Sequence, residues 1–386
     1  MGRLFLLQEQ CLRLMGHSMD SQSNDDRALT LGLKHFASLL LVISAEYPMM
    51  SYVMYNRDDI ELVTASLSVV FTNLLTVIKI STFLVYKQNF WQLMHSFRQI
   101  YPKSHQSASD VVGHDYITKD NNFAALLGKA YCISCACTGL YFMLDPILKI
   151  ISSHWRGEIY IRELPMPMKS PFNDVNTPGY EFGFGYTVLV TIAVVLYASA
   201  VDGLFISFAF NLRAHFQALQ QRIQQLSFDQ SAEEDHEQMI HVVQYHVKLL
   251  DLCKQLRITY MPIVFGQFLI TSIQVGVIIY QILTHMDNAM ALMRFFSFFG
   301  SIMLQLFLYC YGGELIKNES LQVGVAVQLA DWHLATPRQR RSLAFIMHCS
   351  QRGMLIKAGF YEASLANFLA IFRAAMSFIA VIQSAE

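Results

Sequence analysis

Apolar residues gather into seven long runs, about 33–55, 62–86, 126–150, 185–210, 258–283, 293–315 and 360–383. Each is long enough to cross a bilayer as a helix, which takes roughly 20 residues. The polar connectors fall into two sets. Segments 56–61, 151–184 and 284–292 belong to one side; 87–125, 211–257 and 316–359 belong to the other and are longer. This pattern predicts an all-α polytopic membrane protein with seven transmembrane helices and its termini on opposite sides. Residues 4–15 carry a shorter helical stripe, interrupted by Glu9 and Arg13. They predict a short amphipathic helix lying on the cytoplasmic surface. No internal repeat is present.

The side that carries residues 1–32 holds about three times as many Lys and Arg as the other, which favours a cytoplasmic N-terminus and an extracellular C-terminus. Those segments are also about three times longer, so charge density differs little.

Composition narrows the class further. Apolar residues make up 54% of the chain and charged residues 15%, against about 25% charged in a soluble domain. Aromatic residues at 13% exclude disorder, and a net charge of -1 without a basic run argues against nucleic acid as a partner. The lipid bilayer is the partner this composition requires. All seven cysteines fall in spans or proposed cytoplasmic segments, so no extracellular disulfide is expected.

Catalytic and metal signatures are missing. His236 and His241 stand five apart, about 140° around a helix, and cannot share one ion. Cys132, Cys135 and Cys137 lie in an apolar helix without His or carboxylate at ligand spacing. No enzyme activity, cofactor or metal is expected.

The last span can be read by helical geometry. At about 100° per residue, Glu362, Ala366, Arg373, Ser377, Ala380 and Ser384 fall within about 60° of one another. Phe368, Ile371, Ala375, Phe378, Ile379 and Ile382 cover the opposite side. A small, polar stripe in a membrane means close helix packing or a water-filled path. Arg373 on lipid would cost about 3 kcal/mol, so it should face water or a carboxylate. The charges of Glu46, Lys79, Asp145 and Asp202 should pair within the bundle or mark helix ends. Thr336-Pro337 marks a capped helix start in the segment 316–359, followed by an apolar face of Leu343, Phe345, Ile346 and Met347.

Seven spans suggest a G-protein-coupled chemoreceptor, yet the third span lacks Asp-Arg-Tyr, the last lacks Asn-Pro-x-x-Tyr, and the long extracellular connector lacks cysteine. A transporter should show paired Gly/Pro-broken spans, which are absent. The chain instead resembles the insect odorant receptors. The likeness rests on Tyr309-Cys310-Tyr311-Gly312-Gly313-Glu314-Leu315, then Ser320, Val323, Ala326, Trp332, Arg341, Leu343, Gln351, Ala358-Gly359, Phe360, Phe368, Ser377 and Phe378. Leu164-Pro165-Met166-Pro167, Pro171-Phe172 and Thr177-Pro178-Gly179-Tyr180 are similar to the family's second extracellular loop, and Asp202 with Leu204-Phe205 matches the exit of its fourth helix. Gly353 departs from a common proline. The Thr-Tyr…Gln-Phe signature of gustatory-type receptor channels is absent from the last helix.

The resemblance implies an odorant receptor subunit that binds a small volatile organic ligand and opens a non-selective cation channel in the plasma membrane of a sensory-neuron dendrite. It implies a heterotetramer with a shared co-receptor subunit. The short 211–257 segment places this chain among the tuning subunits. By analogy the ligand is held by Leu67, Val70, Phe71, Tyr141, Met143, Leu144, Tyr186, Val190, Tyr197, Ile273, Val277 and Tyr280. The pore is lined by Arg373, Ser377, Ala380, Gln383 and Ser384, with Ala380, Gln383 and Ser384 at the constriction. The expected organisation is a cytoplasmic segment 1–32, a six-helix ligand-binding region 33–315 with a cytoplasmic helical extension 211–257, a cytoplasmic anchor 316–359, and a pore helix with the C-terminus, 360–386.

Overall fold

A computed structural model describes residues 5–17, 25–100, 110–157, 162–169, 176–228 and 232–385, without the side chains of 25–35, 110–115, 232 and 378–385. In chain order the elements are α1 (Leu6–Leu14), α2 (Asp25–Tyr55), α3 (Ile60–Val85), α4 (Lys87–Ile100), α5 (Asp110–Arg156), α6 (Gly179–Gln224), α7 (Ala232–Thr284), α8 (Ala289–Leu329), α9 (Pro337–Ser350), β1 (Lys357–Ala358), β2 (Tyr361–Glu362) and α10 (Leu365–Ala385). Six of the predicted spans lie in α2, α3, α5, α6, α7 and α8, each long and apolar enough to cross a membrane; Leu365–Ser377 of α10 is a shorter apolar helix.

Local chemistry sets several boundaries. Asp59 caps α3 by accepting from the amides of Glu61 (3.0 Å) and Leu62 (3.1 Å). Asn288 does the same for α8. At α9 the expected start is present as a full capping box, in which Gln339 Oε1 accepts from the Thr336 amide at 2.8 Å and Pro337 occupies the first turn.

The helices run well past the apolar stretches. At 1.5 Å per residue, the 46 residues of α6 span roughly 70 Å, against about 30 Å of hydrocarbon. The predicted extension 211–257 is therefore the continuation of α6, a short connector, and the first half of α7. At this anchor end α6 is buried on every side: Ala200, Leu204, Phe208, Leu212 and Phe216 are all sealed. Around them pack Phe90, Leu93, Met94 and Phe97 of α4, Leu252, Leu256 and Tyr260 of α7, Tyr309 and Ile316 of α8, and Leu343 and Ile346 of α9.

Two expectations require correction. The first helix does not lie on a surface. Leu12 of α1 is fully buried, Gln8 and Cys11 nearly so, and Gln8 Nε2 donates to Ser207 Oγ at 3.3 Å. Glu9 pairs with Arg98 of α4. Gly128 and Gly203 make the groove, since a Cβ at either would come within 3.2 Å or 3.0 Å of the Gln8 amide. An apolar stripe this short is covered by a protein groove as readily as by lipid.

The second correction concerns the last span, which begins at Leu365 rather than near 360. Residues 357–362 form a small antiparallel hairpin, pairing Lys357 with Glu362 and Ala358 with Tyr361. Gly359 turns it at φ 61°. Glu362 thus leaves the helical stripe and pairs with Lys317 at 3.2 Å. The hairpin seats on α8 at Gly313, where any Cβ would stand 2.1 Å from the Ala363 carbonyl oxygen.

Candidate functional site: a cavity inside the helix bundle

Apolar helices that cross at their middles leave space where their facing residues are small. Between α2, α3, α5, α6, α7 and α8 such a gap forms a cavity of about 120 Å³, comparable to one of ~150 Å³ that holds a benzene ring. Small and hydroxylated side chains open it: Thr72, Thr76, Thr138, Gly139, Thr191 and Ala198. Phe142, Phe298 and Ile302 supply apolar wall. Met166, from the segment between α5 and α6, reaches the cavity at the end away from the anchor. That segment is tied down where the Lys169 amide donates to the Pro48 carbonyl at 2.9 Å.

The anchor-side floor is charged. Asp202 of α6 accepts from Lys79 Nζ at 2.8 Å, the Tyr131 hydroxyl at 2.6 Å, Gln305 Nε2 at 2.6 Å and, on its other oxygen, the Tyr309 hydroxyl at 2.6 Å. Lys79, Tyr131 and Gln305 line the cavity themselves. Gln305 Oε1 also accepts from Gln267 of α7 at 3.0 Å. Four helices, α3, α5, α6 and α8, are therefore tied at one carboxylate, and α7 joins them through Gln305; four donors satisfy the charge, as its burial requires. The expected pairing of Lys79, Asp145 and Asp202 is present; Asp145 meets Arg294 at 3.1 Å and Lys149 at 3.2 Å, while Glu46 accepts from Asn73 at 3.1 Å.

None of the twelve sequence-assigned ligand residues is on the cavity wall. Val70 and Val190 are buried one position away, in a cluster with Met166 that Met143 and Tyr186 partly cover. The Tyr186 hydroxyl meets Ser44 Oγ at 2.7 Å. Tyr197 is sealed against α1 and α2, its hydroxyl 2.7 Å from both His17 Nε2 and Ser38 Oγ. The Tyr141 hydroxyl donates to the Met290 carbonyl at 2.9 Å. Leu144 and Ile273 are exposed on the outside of the bundle, and Leu67, Phe71, Val277 and Tyr280 are partly buried.

On α10, Ala375 packs with Val275 and Ile279 of α7 and Met303 of α8, and Phe307 meets Phe368 edge-on at 5.5 Å. Ala366, Arg373 and Ser377 stand exposed on the other side. The side chains of Ala380, Gln383 and Ser384 lie outside the described residues, as do Pro171 and Phe172. His236 and His241 are exposed on α7, and among the described residues no group of His, Cys, Asp or Glu could hold a metal.

A bundle of six apolar spans around a partly open, mainly apolar cavity is the architecture of a polytopic membrane protein. Comparison with known proteins gives the family. The 7tm odorant receptor model matches residues 59–376. Odorant receptor 82a of Drosophila melanogaster is 59% identical over the whole of both chains. Odorant receptor 9a of the same fly is 28% identical, over 84% of this chain and 82% of that one. In structure the chain is similar to the olfactory receptor OR5 of Machilis hrabei solved with eugenol, at a TM-score of 0.83, 13% identity and 99% and 98% coverage. The chain belongs to the 7tm odorant receptor family and is an odorant receptor subunit.

Proposed function

We propose that this chain is the tuning subunit of an odorant-gated, non-selective cation channel and that the intramembrane cavity holds the odorant. The observation that carries this reading is the cavity itself, enclosed by six spanning helices and walled by small and apolar side chains. A volatile that fills it contacts α8 at Phe298, Ile302 and Gln305. Roughly two to four turns further on, α8 holds the start of α10: Gly313 seats against Ala363, and Glu314 accepts from the Leu365 amide at 3.3 Å. Displacement of α8 by ligand is thereby passed to α10.

The exposed Arg373 and Ser377 side of α10 faces the pore, with Ala380, Gln383 and Ser384 at its narrow end. Arg373 sits in a wide, wet vestibule, where it does not block cations, and the Gln383 amide partly replaces ion hydration. Ala380 and Ser384 are too small to plug the path, so a co-receptor completes the gate in a heterotetramer. The anchor end supplies apolar surface for assembly: Leu329, Trp332, Leu334 and Phe345 are exposed there, outside the stretch 293–315. The N-terminus is cytoplasmic, and the receptor stands in the dendritic plasma membrane of a sensory neuron.

The test is a cavity-filling substitution. Ala198→Phe places a benzyl group into a space the size of one ring. Co-expressed with a co-receptor and present at the surface, it should lose the ligand-evoked current for every agonist of the parent. Parental dose–response curves would place the odorant elsewhere.

A further inference from the structure

The cavity has two unlike ends. Its anchor-side floor is fixed, because Lys79, Tyr131 and Gln305 are each bonded to Asp202. At the opposite end Met166 forms part of the wall, and it differs in kind from the rest. Among the described residues, every other side chain on that wall belongs to a spanning helix and is held by the packing of that helix on its neighbours. Met166 comes from the stretch 162–169, which is neither helix nor strand.

That stretch holds its backbone still and leaves one side chain free to adapt. Pro165 and Pro167 flank Met166; each proline ring fixes its own φ, and the second also confines Met166 to extended backbone. On the α5 and α6 side, Glu163 pairs with Lys149 at 3.4 Å and Arg162 with Glu181 at 3.6 Å. Leu164 lies over Gly183, where a Cβ would stand 3.1 Å from its Cδ2. On the α2 side, the Lys169 amide donates to the Pro48 carbonyl at 2.9 Å, and Lys169 Nζ stands 3.1 Å from the centre of the Tyr55 ring. Between these ties Met166 is buried among Ala45, Met49, Val69, Val70 and Val190. Its side chain is unbranched, with three rotatable bonds, and bends to fit what it meets. Met168 is buried in the same cluster but is not on the cavity wall.

We infer that Met166 sets the length of ligand this receptor accepts: the ligand's hydrocarbon tail points away from the anchor and ends on the Met166 thioether. This rests on the cavity being the odorant site. A polar group pressed against Met49, Val69 and Met166 would shed its hydration among apolar side chains. That end therefore takes alkyl or alkenyl carbon, and any oxygen of the ligand lies nearer the floor. The floor does not give way, because moving it breaks bonds to a buried carboxylate. Sideways growth runs into Phe142 and Phe298. A longer tail is accommodated at Met166, by bending its side chain aside.

The experiment applies two homologous series, 1-alkanols and their acetates from butyl to dodecyl, to cells expressing the chain with a co-receptor. It reads the chain length of greatest potency in each series, a position that does not depend on surface expression. Met166→Ala removes Cγ, Sδ and Cε and should move the optimum longer by about three carbons in both series, into the space left behind. Each carbon that fills this space should raise potency about four-fold over the same compound on the parent. Met166→Trp should move the optimum shorter, and Met168→Ala, off the wall, should leave it in place. Opposite shifts from the two Met166 changes are not what general damage to the segment produces. An unchanged optimum in the Met166 variants, or an equal shift in Met168→Ala, overturns the inference. If only one Met166 variant reaches the surface, its shift decides. Ala198→Phe separates the two claims: if it silences the receptor while the Met166 variants keep the parental optimum, the cavity stands and the length assignment falls; if it responds like the parent, the cavity reading itself falls.

Discussion

Removal of the Asp202 carboxylate should be among the most damaging single changes in this chain, and its effect should be asymmetric with that of its partner. Lys79 and Asp202 are each 1% exposed and 2.8 Å apart. Asp202→Ala strands a buried ammonium, which costs about 3–5 kcal/mol. It also deprives the Tyr131 and Tyr309 hydroxyls of their acceptor, at about 1–3 kcal/mol each where no substitute is found. Lys79→Met is milder, because the carboxylate keeps three donors in Tyr131, Tyr309 and Gln305. With an unfolding entropy of about 2.1 cal/mol/K per residue, 3–5 kcal/mol lowers the melting temperature of 386 residues by roughly 4–6 °C. Thermal unfolding of the detergent-solubilised receptor, followed by fluorescence-detected size exclusion, reads this directly. The expected order of stability is parent, Lys79→Met, Asp202→Ala, and adding Lys79→Met to Asp202→Ala should recover part of the loss. Asp202→Ala melting with the parent, or Lys79→Met proving the worse of the two, would mean that the carboxylate is not what holds these helices together.

Further outcomes follow from other parts of the molecule. Leu12→Ala should cost about 2–5 kcal/mol, since Leu12 is fully buried in the α1 groove; a helix resting on lipid would show almost no change in the same melting assay. His215, beyond the apolar stretch 185–210, is buried and its pKa is pushed down to about 3, first by desolvation and then by the charges of Arg222 and Lys248. The neutral form is favoured on folding, so its contribution is full above about pH 6.5 and is lost as pH falls from there toward about 3. The melting temperature should decline across that window, and His215→Gln should flatten the decline. Gln383→Glu should change cation permeability ratios in the heteromer, because a carboxylate holds cations more strongly than an amide, whereas Phe378→Leu should not; equal selectivity of Gln383→Glu and parent would move the constriction elsewhere.

The spanning helices were legible because each is an unbroken apolar run, and membrane burial leaves that mark whatever the tertiary contacts are. The cap at Thr336 was legible for an equally local reason. The course of α1 was not: an apolar stripe looks the same whether lipid or protein covers it, and the groove at Gly128 and Gly203 lies more than a hundred residues away. The start of α10 was misplaced because helical spacing carries through Glu362 by coincidence, while the turn at Gly359 and the Ser364 hydroxyl, which accepts from the Asn367 amide at 3.4 Å, end the extended segment first. The cavity shows the most general difficulty. Large aromatic and aliphatic residues suit an apolar ligand, yet they also fill the space between helices, and none of the twelve named for the ligand is on this cavity's wall. The wall also includes small residues such as Thr72, Thr138, Gly139 and Ala198, which are marked as wall only once the helices are in register.

In the proposed function the chain is itself part of the ion path and is opened by ligand within its own bundle. The most direct measurement is the agonist-evoked current in excised membrane patches bathed in nucleotide-free solution, from cells expressing this chain with a co-receptor. A prompt cation current should persist without GTP, be absent in Ala198→Phe and show altered ion selectivity in Gln383→Glu. A response that vanishes on excision and returns only with GTP would contradict it.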